Sequence, residues 1–138
     1  MTLDKSNYSL LIVEIIQLFF QTFKEDMLFV DKHIAIEHMG YFKIQYKYIP
    51  LKYDIVFESE RNVFCIDIYD EEGAKNSLYR IEKFHNETRL NNIRKAIGLL
   101  EMVLKKNDFC FYIIKNGKLY RKKDQQYTRV KDMRELTR

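Results

Sequence analysis

Glycine and proline are scarce in this chain, whose 138 residues include four Gly and one Pro. This scarcity argues against long flexible linkers, and the sequence contains no repeat and no low-complexity run. Cysteine is also rare. Cys65 and Cys110 lie inside apolar runs without the close spacing of metal ligands. We therefore expect reduced, buried thiols rather than a disulfide framework.

A long hydrophobic run is missing as well. The most apolar stretch, YSLLIVEIIQLFF, contains Glu14 and Gln17 and falls short of the roughly 20 apolar residues that span a bilayer. It also has no small-residue cleavage site of the kind that ends a signal peptide. These features predict a buried helix in a cytoplasmic protein that does not enter a membrane.

The charge of the chain is unevenly distributed. A hydrophobic content of 46% and an aromatic content of 14% exclude a disordered chain. Residues 115–138 contain nine Lys or Arg against three Asp or Glu, so this stretch has a net charge of +6. The whole chain has a net charge of +4, so the residues before it sum to −2. Such asymmetry is typical of a basic arm that meets nucleic acid or an anionic protein surface, although a solvated tail has the same composition.

Hydrophobic periodicity predicts one α+β domain over residues 1–138, with residues 115–138 as a basic C-terminal hairpin arm and tail. The expected order is a helix, three strands, a helical pair and a β-hairpin around a central sheet. The pattern of residues 27–37 is ambiguous and compatible with a short strand, and residues 125–130 fit an edge strand. The expected elements are a helix at 7–24, strands at 42–48, 53–58 and 63–69, helices at 74–85 and 90–104, and a hairpin at 109–123.

The hairpin prediction depends on Asn116-Gly117, which joins two β-type runs. A two-residue type I′ turn needs positive φ at both positions, and Asn-Gly is its strongest signal. The resulting register places Lys115 opposite Lys118, where like charges are mildly destabilising. An anion at the hairpin would relieve this repulsion. The candidate nucleic-acid- or partner-binding residues are Lys115, Lys118, Tyr120, Arg121, Lys122 and Lys123.

Two acids lie on predicted neighbouring strands, Asp54 near the start of one and Asp67 in the middle of the next. Adjacent strands are about 4.8 Å apart, so the two carboxylates could bridge one divalent cation. The alternative is a pair of solvent-facing acids on an amphipathic sheet.

The stretch PLKYDIVFESERNVFCIDIYDEEGAKNSLYRIEKF resembles the core of the PD-(D/E)XK nuclease superfamily. The resemblance matches the family's two acids to Asp54 and Asp67 and makes Glu14 a candidate third acid from the first helix. It implies a metal-dependent nuclease, with Mg²⁺ as cofactor if the site is active. The family's lysine is replaced by Tyr69, and Lys75 is the nearest substitute. Because a tyrosine cannot supply the lysine's charge, we expect no cleavage.

The sequence therefore supports two hypotheses from different classes. The first is a small non-catalytic protein that associates with nucleic acid through its basic hairpin. The second is an inhibitor or immunity-type protein that binds and blocks another protein, for example a defence nuclease, as anti-CRISPR proteins do. The composition, rich in Ile, Lys, Phe, Tyr and Asn, is typical of AT-rich coding sequence and hints at a phage or mobile element. A small antitoxin or regulator is a third possibility.

Overall fold

The computed structural model describes residues 5–132 and 134, with side chains from Asn7 onward. In this part of the chain, eight antiparallel strands form one sheet in which each strand neighbours the next along the chain. The strands are β1 (Met27–Ala35), β2 (Tyr41–Tyr48), β3 (Tyr53–Glu60), β4 (Val63–Tyr69), β5 (Lys75–Ser77), β6 (Phe111–Lys115), β7 (Lys118–Lys123) and β8 (Gln126–Arg129). The α-helices are α1 (Lys5–Phe23), α2 (Leu78–Ile81) and α3 (Leu90–Lys106).

The core lies between one face of the sheet and the two long helices. In β2 every second side chain is buried, as the alternation of the strand predicts. Tyr46 of β2 stacks on Phe19 of α1, with ring centroids 4.2 Å apart, and α3 packs beside α1. The described helices include none that is long and apolar enough to cross a membrane.

The predicted hairpin is confirmed in position and register. Asn116 and Gly117 have φ values of 53° and 74°, as a type I′ turn requires. Lys115 lies opposite Lys118, and Tyr112 lies opposite Arg121. The edge strand predicted at 125–130 is also present, as β8 over Gln126–Arg129, and it pairs with β7.

The predicted fold class is wrong, because the chain is richer in strands than the sequence pattern indicated. The hairpin is not a separate arm, since β6 to β8 continue the same antiparallel sheet. Residues 27–35 form a full edge strand, and most of the expected helix at 74–85 is absent. Lys75–Ser77 pairs with β4 instead, and only Leu78–Ile81 is helical.

The expected helix at 74–85 is mostly absent because its first residues contact a segment that is distant in sequence. Leu78 and Ile81 are buried at helical spacing, but Ser77 already caps this single turn by accepting a hydrogen bond from the Arg80 N–H. Before the cap, the Asn76 side chain donates a 2.8 Å hydrogen bond to the Cys110 carbonyl. The backbone of β5 is thus held as a strand by a residue 34 positions away.

Replacing Tyr46 with Phe should stabilise the protein by about 1 kcal/mol, because the buried Tyr46 hydroxyl has no hydrogen-bond partner among the described residues and pays an uncompensated desolvation cost. Thermal denaturation followed by circular dichroism measures the effect. Tyr41→Phe is the matched control. Its hydroxyl donates a 2.7 Å hydrogen bond to Glu58, so this variant should be less stable than wild type. A lower melting temperature for Tyr46→Phe would contradict the prediction.

Candidate functional site

The face of the sheet away from α1 and α3 carries the polar side chains of the central strands, and we call it the open face. In the β3–β4 pair, Asp54 lies opposite Tyr69, and Val56 lies opposite Asp67. Opposite residues share a face, as do residues two positions apart. Asp54 and Asp67 therefore lie on neighbouring strands and project to the same face, as predicted.

The two carboxylates nevertheless have different surroundings. Asp54 is exposed and forms a 2.7 Å ion pair with Lys47, its direct neighbour across the β2–β3 ladder. Asp67 is only 6% exposed. In the described part of the chain, the groups whose ligand atoms converge around Asp67 are Glu58 and Cys65, and Asp54 is not among them.

Glu58, Cys65 and Asp67 form what we call the thiol–carboxylate cluster. One ligand atom from each residue lies within 4.8 Å of the other two. The register explains this convergence: Glu58 lies opposite Cys65, and Asp67 follows two residues later on the same face. The Tyr41 hydroxyl donates a 2.7 Å hydrogen bond to Glu58 Oε2 and so orients that carboxylate.

Burial dominates the electrostatics of the cluster. Burial raises the pKa of Asp67, and the Lys75 ammonium partly offsets this effect. Burial also raises the pKa of the Cys65 thiol to about 12, with further contributions from the charges of Asp67 and Glu58. The thiol is therefore protonated at neutral pH and is a poor nucleophile, because the thiolate is the reactive form.

Lys75 and Glu14 were also predicted as candidates for this site, and the structure brings Lys75 but not Glu14 to it. Lys75 lies on β5 with its Nζ 3.5 Å from Asp67 Oδ2, so it does reach the second acid. Glu14 lies on α1, where it lines a groove with Arg94 of α3. Because both helices cover the opposite face of the sheet, the predicted grouping of Glu14 with Asp67 is wrong.

Sequence reasoning missed Glu58 and Cys65. Alternation already places Glu58 on the same face as Asp54, and Cys65 on the same face as Asp67. The missing information was the register of the β3–β4 pair, which decides that Glu58 rather than Asp54 lies beside Cys65. A spacing search for metal ligands cannot detect a cluster that depends on the pairing of two strands.

The basic hairpin differs most from expectation at Lys122, which was predicted to bind nucleic acid or a partner. Lys122 is 7% exposed and forms a 2.7 Å ion pair with Asp70 and a 3.0 Å ion pair with Glu72. Asp70 Oδ1 also accepts the backbone N–H groups of Glu72 and Ala74. Lys122 therefore holds the turn between β4 and β5 against β7 and is not available to bind a phosphate.

The repulsion between the two lysines beside the turn is relieved within the molecule. Lys115 Nζ lies 2.9 Å from Glu72 Oε2 and 4.1 Å from the centre of the Tyr127 ring. The Tyr127 hydroxyl donates a hydrogen bond to the same glutamate. Glu72 is thus the anion that the opposed lysines Lys115 and Lys118 implied, and it comes from this chain.

The other four residues of the hairpin that were predicted to bind a partner differ in their surroundings. Lys123 forms a 3.0 Å ion pair with Asp108. Tyr120 and Arg121 are half-buried, and Lys118 is exposed without an ion pair to any described residue. Glu135 and Arg138, which contribute to the charge of the arm, lie outside the described residues.

Replacing Lys122 with Ala should destabilise the protein by roughly 2 kcal/mol. This is less than the cost of breaking a fully buried pair, because Asp70 keeps two backbone donors. Urea denaturation measures the change. Lys123→Ala is the matched control, since it removes a neighbouring ion pair of similar length that is exposed and should leave the urea midpoint nearly unchanged. Equal effects in the two variants would refute the structural role of Lys122.

Hydrogen bonds from Tyr127, Lys115 and Lys122 lower the pKa of Glu72 from 4.5 to about 2. The folded state therefore binds this proton less readily than the unfolded state. The stabilisation is complete above pH 4.5 and is lost as the pH falls toward 2. The melting temperatures of wild type and Glu72→Gln should differ at pH 6 and converge between pH 4.5 and 2. A difference that stays constant over this window would contradict the assignment.

Comparisons with known proteins complete the description of the site. No protein-family model, no curated protein and no solved structure matches this chain. The function proposed below is therefore derived from the contacts, burial and charge of its own residues.

Proposed function

We propose that this chain is a small non-catalytic protein that binds another protein through β1. The main support for this proposal is the exposure of this edge strand. β1 is nine residues long, and its seven residues between buried Met27 and Ala35 are all exposed. Four of them are large and apolar, and we call these four the apolar edge: Leu28, Phe29, Val30 and Ile34.

The other edge of the sheet has a different character. β8 has only four residues, Gln126–Arg129, and its one large apolar side chain belongs to Tyr127. Proteins usually protect their sheet edges by short strands, charges or bulges, because an open edge pairs readily with other chains. β1 has a bulge at Val30 and a charged pair, Asp31 and Lys32, but it keeps apolar side chains on both sides of them.

The helix α1, which packs next to β1, also has exposed apolar side chains. Phe29 packs edge to face on Tyr46, which stacks on Phe19 of α1. Beside Phe19, Phe20 is 68% exposed, and Val13 is exposed on the same side of the helix. Several large exposed apolar side chains on an edge strand and on the neighbouring helix are typical of a protein-binding site.

The occupant we propose is an extended apolar segment of a partner protein, added to the sheet beside β1. Such pairing obtains affinity from main-chain hydrogen bonds and specificity from alternate side chains. The bulge at Val30 interrupts regular pairing, so a new strand can pair with β1 on either side of it, at residues 27–29 or at residues 31–35. A blocking strand of this type suits an inhibitor of phage or mobile-element origin, the second of the two sequence hypotheses.

Nucleic acid stays a second candidate because of one observation. Lys118 and Arg129 are exposed, and Arg129 lies opposite Tyr120, so a basic and aromatic surface exists at the end of the sheet. This surface is smaller than the sequence predicted, because Lys115, Lys122 and Lys123 are paired with acids of the same chain. Phosphate binding here would weaken by about 0.7 to 0.9 in log K per unit of log salt for each contact.

Affinity purification from the native host, with and without nuclease treatment, tests the proposal. Wild type should retain a protein partner after nuclease treatment. Leu28→Lys/Ile34→Lys should retain at least about tenfold less, because two cations would be placed in the apolar contact. Ile114→Lys is the control, since Ile114 is equally apolar and 71% exposed but lies on the hairpin.

Three outcomes would overturn the proposal. Loss of every partner on nuclease treatment would favour the nucleic-acid candidate. Equal capture by the double variant and by wild type would remove the apolar edge from the function. A purified wild-type dimer that the double variant converts to a monomer, measured by light scattering, would assign the edge to a second copy of this chain.

A further inference from the structure

The thiol–carboxylate cluster brings together three donors that Zn²⁺ accepts. Glu58, Cys65 and Asp67 each offer one ligand atom, and the three atoms lie within 4.8 Å of one another. Around a tetrahedral zinc ion with one thiolate and two carboxylates, ligand atoms are separated by about 3.5 Å. Small side-chain rotations would close this difference, since the three Cα positions are already set by the ladder.

Asp67 supplies an independent reason to expect a cation here. Its side chain is 9% exposed, and a carboxylate so deeply buried normally has close, charge-assisted partners. Among the described residues the only cation within ion-pairing distance is Lys75, whose Nζ is 3.5 Å from Oδ2. The Cys65 sulfur is 4.0 Å from the same oxygen. Both distances exceed the roughly 2.7–2.9 Å of a strong ionic hydrogen bond.

The surroundings of the cluster allow a metal to enter. Glu58 is oriented from outside by the Tyr41 hydroxyl, as second-shell groups orient metal ligands. A groove on the open face, lined by Lys43, Val56 and Glu58 among others, reaches the cluster from solvent at Glu58. Lys75 is half exposed, so its side chain can move into solvent when a cation takes its place beside Asp67.

We propose that Glu58, Cys65 and Asp67 bind one Zn²⁺ ion on the open face. The thiol selects the metal, because Mg²⁺ and Ca²⁺ favour oxygen ligands, whereas zinc accepts sulfur and oxygen. On binding, the Cys65 sulfur loses its proton to solvent and forms the metal–sulfur bond. Three protein ligands leave the fourth position for water or for a side chain of a bound partner. The site is therefore different in residues and in metal from the Mg²⁺ pair of Asp54 and Asp67 that the sequence suggested.

Titration of the full chain with Co²⁺, a spectroscopic substitute for zinc, tests the proposal after treatment with a chelator. We expect one equivalent to bind with sulfur-to-cobalt charge-transfer absorption in the near ultraviolet, which Zn²⁺ abolishes and millimolar Mg²⁺ does not. Cys65→Ser should remove the absorption and weaken binding at least about tenfold. Cys110→Ser and Asp54→Asn are the controls and should bind as wild type does.

Two more variants keep the test decisive if Cys65→Ser fails to fold. Glu58→Gln changes a half-buried residue and should weaken binding at least about tenfold. Lys75→Met removes the competing cation and should tighten binding several-fold. Absence of cobalt binding by the wild type, charge-transfer absorption that survives Cys65→Ser, or equal weakening by Asp54→Asn and Glu58→Gln would each overturn the proposal.

Discussion

Residues that lie opposite each other in an antiparallel ladder must project to the same face of the sheet, and both faces of this protein depend on that constraint. On one face, the buried side chains of β2, β3 and β4 coincide and form a continuous apolar layer under α1 and α3. On the open face, the same rule places Glu58 beside Cys65 and Asp54 beside Lys47. One set of strand registers therefore determines the core, an exposed ion pair and the thiol–carboxylate cluster.

Charge in this molecule is balanced over long sequence separations. The basic end of the chain looks unpaired in the sequence, but Asp70 and Glu72 come from the turn between β4 and β5 and neutralise Lys122 and Lys115. Asp108, after α3, does the same for Lys123. Three of the nine basic residues of this stretch thus help to attach the last three strands to the rest of the protein. This leaves the exposed apolar residues of β1 as the stronger signal of a binding surface.

The parts of the structure that could be predicted are those governed by neighbouring residues. Alternation identified β2, β3 and β4, and the Asn116-Gly117 turn set the hairpin register, because each depends on a short local pattern. The fold class was missed because β1 and Lys75–Ser77 become strands by pairing with β2 and β4, and the local pattern of these residues does not reveal that pairing. The cluster was missed for the same reason. Cys65 has no ligand spacing along the chain, and its position beside Glu58 follows only from the register of two strands.

The join between β5 and β6 is narrow, with Lys75 opposite Tyr112 as its single registered pair. α2 and α3 are inserted between these strands, whereas β6, β7 and β8 are connected by tight turns and several pairs each. Cooperative units with few contacts to the remainder open at a lower free energy than the global transition. We therefore expect the amide hydrogens of the last three strands to exchange through detachment of this unit, while the helices and β1 to β4 stay folded. The buried ion pair of Lys122 and Asp70 opposes that detachment, because it joins β7 to the turn between β4 and β5.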